Sequence, residues 1–142
     1  MLIAVALALF LVISGALARF LSVENDERDA EESYLQAQVK GDERAMLRQL
    51  SDCVSSSCRA TVHANASNPR LRRSGAVKIL QIESPTAYSL TGATGRSRLA
   101  WTVIGKLPVV QCVEVKRTGN FLTGIHLALL SVSAPIPNEN GC

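Results

Sequence analysis

At 142 residues the chain has the length of one domain. Its formal net charge of +3, with aromatic residues at only 4%, gives no nucleic-acid footprint. Hydrophobic residues reach 47%, a figure inflated by the first eighteen positions.

Those positions read "MLIAVALALFLVISGALA" and carry no charged side chain. A spanning helix needs roughly 20 apolar residues, and the run reaches that length through Phe20 and Leu21 if Arg19 snorkels. The expectation is a single transmembrane anchor over residues 1–22, with the membrane as a partner between Met1 and Leu21. A cleaved signal peptide and a buried helix are the alternatives. Ala16-Leu17-Ala18 fits a cleavage pattern, but the run is long for a signal and has no basic residue before it.

The stretch "ENDERDAEE" follows, with six acids and one base, Arg28. It reads as an acidic juxtamembrane helix or linker over 23–33. A flank so poor in Lys and Arg puts the body outside the cytoplasm.

Four cysteines agree with export to an oxidising compartment. Of three possible pairings, the expected one is Cys53–Cys58, closing "CVSSSC", with Cys112–Cys142 tying the Pro-containing tail, 135–142, to a strand. Zinc is a weaker reading of Cys53, Cys58 and His63, because the spacing is unusual and a fourth ligand is missing. No metal and no cofactor are expected.

Leu35, Val39, Met46 and Leu50 form one apolar stripe at helical spacing. Gly41-Asp42 interrupts it. Gly41 suits the left-handed residue past a helix end, and Asp42 suits the cap of the next helix. A further short helix is expected over 56–66.

From Gly75 onward β-branched residues and alternation predict strands over 77–83, 87–91, 97–104, 109–117 and 121–133. Breakers fall at 84–85, 92–95, 105–108 and 118–120. In the last hairpin a two-residue Gly119-Asn120 turn sets Val113 opposite His126. A three-residue 118–120 loop keeps the apolar residues on one face instead. It pairs Arg117 with Phe121, Val115 with Thr123, Val113 with Ile125 and Val109 with Leu129. The face under the helices then holds Leu99, Trp101, Val113, Ile125, Leu127 and Leu129, with no titratable group among them.

The stretch "YLQAQVKGDERAMLRQLSDC" resembles the opening of the nuclear-transport-factor-2-like (cystatin-like cone) superfamily. Ala37, Gly41, Asp42, Met46, Leu47 and Leu50 carry the likeness, and the order of helices then strands extends it over about 34–132. The resemblance implies an α+β domain over 34–134, helices packed on a curved antiparallel β-sheet in a cone, of the membrane-anchored bacterial envelope type. Isomerases of that superfamily use a tyrosine and two carboxyls, but no position here matches them.

The expected function is therefore a non-catalytic extracytoplasmic binding or assembly module with an envelope protein partner or a small apolar ligand. The alternative is a small-molecule carrier or an isomerase- or dehydratase-like enzyme using the cone cavity. Candidate pocket residues are Tyr88, Leu99, Trp101, Gln111 and Leu127. Glu114 and His126 form a candidate polar pair, diagonal across the last hairpin. Arg70, Arg72 and Arg73 of "RLRR" form a candidate basic patch for lipid headgroups or an acidic partner.

Overall fold

A computed structural model describes residues 2–83, 91–120, 124–137 and 141–142. Three helices come first: α1 (Leu2–Lys40), α2 (Glu43–Gln49) and α3 (Ser56–Ser67). Four strands follow: β1 (Val77–Glu83), β2 (Thr91–Val103), β3 (Val109–Asn120) and β4 (Gly124–Val132). They make one antiparallel sheet whose spatial order, β1-β2-β3-β4, is the chain order. The helices pack on one face of it, so the fold is α+β.

Gly41 ends α1 with φ of 70°. Its N–H donates to Gln38 O at 2.9 Å, and the Asp42 N–H reaches back to Ala37 O at 3.0 Å. This is a Schellman end, which satisfies carbonyls a helix would otherwise leave bare. A side chain at Gly41 would meet Arg72 Nε at 2.9 Å and Ala66 O at 3.0 Å. Asp42 Oδ1 accepts from Ala45 N at 2.9 Å and starts α2. The chain turns while Leu35, Val39, Met46 and Leu50 all stay buried. Ser55 caps the start of α3, its hydroxyl accepting from Cys58 N, and the Cys53–Cys58 disulfide spans that cap.

The expected transmembrane anchor is corrected. Among the described residues no helix is long and apolar enough to cross a membrane. The apolar residues are instead the first half of α1, a 39-residue helix that runs unbroken through the acidic segment into the core. The expected boundaries at 22 and 33 both fall inside it.

The sheet face under the helices is set by odd-numbered positions. Leu99, Trp101 and Val103 of β2, with Val109, Val113 and Val115 of β3, are all buried there. β1 lies at 77–83 as its alternation predicts. β2 is longer than expected: it runs through Gly92 and Gly95, absorbing the irregularity as a bulge between Thr91 and Ala93. Most of the separate strand expected at 87–91 lies outside the described residues.

The last hairpin also differs. β3 continues through Thr118, Gly119 and Asn120, and the pairs are Arg117–Leu127, Val115–Leu129 and Val113–Val132. The connection therefore falls at 121–123, three residues later than expected. A shift of three positions preserves the faces as far as the bulge between Glu114 and Val115, beyond which Val132 joins Val113 on the buried face. Alternation of period two cannot tell such registers apart.

Beyond β4 the tail stays with β3. Ser133 N donates to Cys112 O and Ile136 N to Val110 O, each at 2.8 Å. The Cys112–Cys142 disulfide fixes the end of the chain to the same strand. Both expected disulfides are present, consistent with an extracellular protein.

Candidate functional site

α1 lays a row of polar side chains against the sheet: Glu27, Glu31, Tyr34 and Gln38, all buried. The spacing of four, three and four keeps them on one helix face. Buried Ser97, Gln111 and Arg117 meet them from β2 and β3. Their odd numbers put them on the face that also carries Leu99, Trp101 and Val113.

At the carboxyl end of α1 the row is closed. Gln38 Nε2 donates to Gln111 Oε1 at 2.9 Å, and Gln111 Nε2 donates to Gln38 Oε1 at 3.2 Å and to Ser133 O at 2.7 Å. Trp101 Nε1 donates to Gln111 Oε1 at 2.8 Å. All four side-chain amide atoms of this glutamine pair have a partner.

Three turns earlier the row is different. Glu27 pairs with the Arg117 guanidinium through Oε2 and accepts from the Ser97 hydroxyl through Oε1, at 3.2 Å. Glu31, one turn on, has both oxygens buried and makes no hydrogen bond. Burial pushes its pKa from 4.5 up to about 8; Glu27 adds to the rise and Arg28 opposes it. A carboxyl in that position holds its proton at neutral pH. Burial also raises the Tyr34 phenol, with Asn65 working against the rise. The Tyr34 hydroxyl nonetheless makes no hydrogen bond of normal geometry. The Asn65 amide donates instead to Val132 O and Ser133 O, at 3.4 and 3.1 Å.

The candidates named from the sequence divide. Leu99, Trp101 and Gln111 come together, but as closely packed core, with Leu127 half-buried beside it. Tyr88 lies outside the described residues. Glu114 and His126 are separated, and that pairing is corrected. In the observed register Glu114 lies opposite Ser131 and accepts from its hydroxyl at 3.2 Å, while His126 lies opposite Thr118 and is exposed. Arg70 and Arg72 are exposed, whereas Arg73 is half-buried over the Trp101 ring, 5.6 Å from its centroid. Cys53 and Cys58 are joined, and His63 Nδ1 contacts Glu43 Oε2 at 2.9 Å.

Sequence reasoning missed Glu27, Glu31, Ser97 and Arg117. A signal was present. Counting back by fours from Leu35 gives Glu31 and Glu27, and alternation from Val113 and Val115 gives Arg117. The interior is therefore not free of titratable groups, as the expected face had it.

A surface groove of about 570 Å³ opens elsewhere, between the start of α3 and the ends of β3 and β4. Asp52, Ser55, Thr61, Arg96, Glu114 and Ser131 are among its walls. The buried carboxylates do not reach it. Comparison with family models, curated proteins and solved structures gives no match.

Proposed function

We propose that this chain is a non-catalytic extracytoplasmic binding or assembly module that holds an envelope protein partner through the first half of α1. The observation that carries the reading is the surface of that helix. Ile3, Val5, Leu7, Leu9, Phe10, Leu11, Val12, Ile13 and Leu17 are all more than half exposed. Neighbouring numbers among them point in different directions, so the helix is apolar all round. Exposed apolar surface of that extent marks an interaction site.

Three further points support the reading. Two disulfides suit an oxidising compartment. The core is filled where the sequence suggested a pocket, by the Gln38–Gln111–Trp101 network. The likeness to the nuclear-transport-factor-2-like superfamily fits an envelope module as well as an enzyme, since fold does not carry function.

The enzyme or carrier reading has one observation in its favour, the buried Glu31 carboxyl. Catalysis needs such a group beside an opening that substrate can enter.

The test is site-specific crosslinking in the native envelope. A photo-reactive residue at Phe10 should give one discrete protein adduct, and the same residue at exposed Arg59 of α3 should give none. Equal yields at both positions, or no adduct at Phe10, would overturn the proposal.

A further inference from the structure

The turn between β2 and β3 stands out from the end of the sheet at which α1 terminates. Ile104 and Leu107 at its tip are 83% and 82% exposed, against 78% for Ile3 of the apolar helix. No described residue covers these two apolar side chains.

The tip is nevertheless rigidly held. Lys106 N donates to Val103 O at 2.9 Å, and the Thr102 hydroxyl donates to Lys106 O at 2.8 Å. Arg73 braces it from the adjoining loop, donating from Nη1 to Leu107 O at 2.7 Å and from Nε to Arg70 O at 2.9 Å. The backbone of Arg73 is in turn bonded to Val39 O at 3.0 Å. The tip and the basic loop are thus one unit, fastened to the end of α1.

The charge around it has one sign. Segments 68–80 and 101–110 contain Arg70, Arg72, Arg73, Lys78 and Lys106 and no acid. All but Arg73 are exposed. The nearest acids along the chain, Glu83 and Glu114, are engaged with Arg98 at 3.5 Å and with the Ser131 hydroxyl at 3.2 Å, and Asp42, beside the end of α1, caps α2.

We infer that this tip docks on the surface of a bilayer rich in anionic headgroups, with Ile104 and Leu107 entering the interface and Arg70, Arg72 and Lys106 facing the phosphates. A convex apolar tip finds no complement on a flat or convex protein surface, but an interface admits protruding side chains without a shaped pocket. Bases flanking it gain from a negative surface, each by roughly fivefold in binding. This arrangement requires no helix among the described residues to cross the bilayer, and it does not depend on what the apolar half of α1 holds.

A local reporter tests it in the full chain. With Ile104→Trp, vesicles containing phosphatidylglycerol should shift the emission to the blue, and brominated lipid should quench it. Phosphatidylcholine vesicles should do neither at the same lipid concentration. Adding Arg70→Ser, Arg72→Ser and Lys106→Ser should weaken the response roughly 100-fold, and raised salt should weaken it in the Ile104→Trp protein itself. The inference is overturned if the protein sediments with vesicles while the emission of the introduced tryptophan stays unchanged. It is also overturned if both lipids act equally, or if the tip responds only to a protein. Unchanged near-ultraviolet circular dichroism shows that the variants remain folded.

Discussion

The two polar groups of the core lie on one face of α1, about three turns apart, and they are built in opposite ways. The Gln38–Gln111 pair is neutral and closed, with every side-chain amide atom bonded. The Glu27–Arg117 pair is charged, and Glu31 stands beside it with nothing bonded to either oxygen. The same helix thus contributes one group that stabilises the native packing and one that strains it. The difference lies in satisfaction rather than in burial, since all of these side chains are shielded from water.

The sharpest way to break the contrast is to remove the cation. Arg117→Met leaves Glu27 as a buried charge without its partner and should cost about 3–5 kcal/mol in urea unfolding. Pairing it with Glu27→Gln should recover most of that loss. If the single variant costs under about 1 kcal/mol, the ion pair is not what holds this end of α1. Next comes the closed group. Gln111→Leu keeps the bulk but strands the Gln38 amide and the Trp101 N–H, and should cost about 2–4 kcal/mol. A neutral result would mean that water reaches the site.

The smallest change should go the other way. Glu31 has a folded pKa of about 8 against an ordinary 4.5. Below pH 4.5 the carboxyl is protonated in both states and makes no difference to stability. As pH rises from 4.5 towards 8, the unfolded chain releases its proton first, so the folded state loses stability across that window. Glu31→Gln should remove this slope and raise stability at pH 8 by about 1–3 kcal/mol. Parallel thermal melts of the two proteins between pH 5 and 8 check it. Parallel slopes would show that Glu31 ionises freely in the folded protein.

Much of the fold is legible because local chemistry carries it. Gly41-Asp42 reads as a helix end and a cap since Gly tolerates φ of 70° and Asp accepts backbone N–H bonds. β1 and α3 fall within a residue of their expected ends. Both disulfides follow from which loop and which tail need fastening. The last hairpin is not legible, because two registers six apart put the same residues on the same face up to the bulge between Glu114 and Val115, and alternation does not announce the bulge. The buried row is hidden for another reason. Six acids in nine residues read as a solvated flank, and charge overrides the helical spacing that runs back from Leu35 through Glu31 to Glu27. The apolar start misleads in the opposite sense: composition suggests a separate span where one helix continues.

The chain-order sheet also bears on the path of folding. Each strand pairs with its sequence neighbour, so the hairpins can close with little loop entropy. The Glu27–Arg117 contact, by contrast, joins residues 90 apart. α1 is therefore expected to dock late, onto a sheet already formed, with its acid-bearing half fastening last. Weakening that contact at Arg117 should speed unfolding several-fold while refolding keeps nearly its original rate.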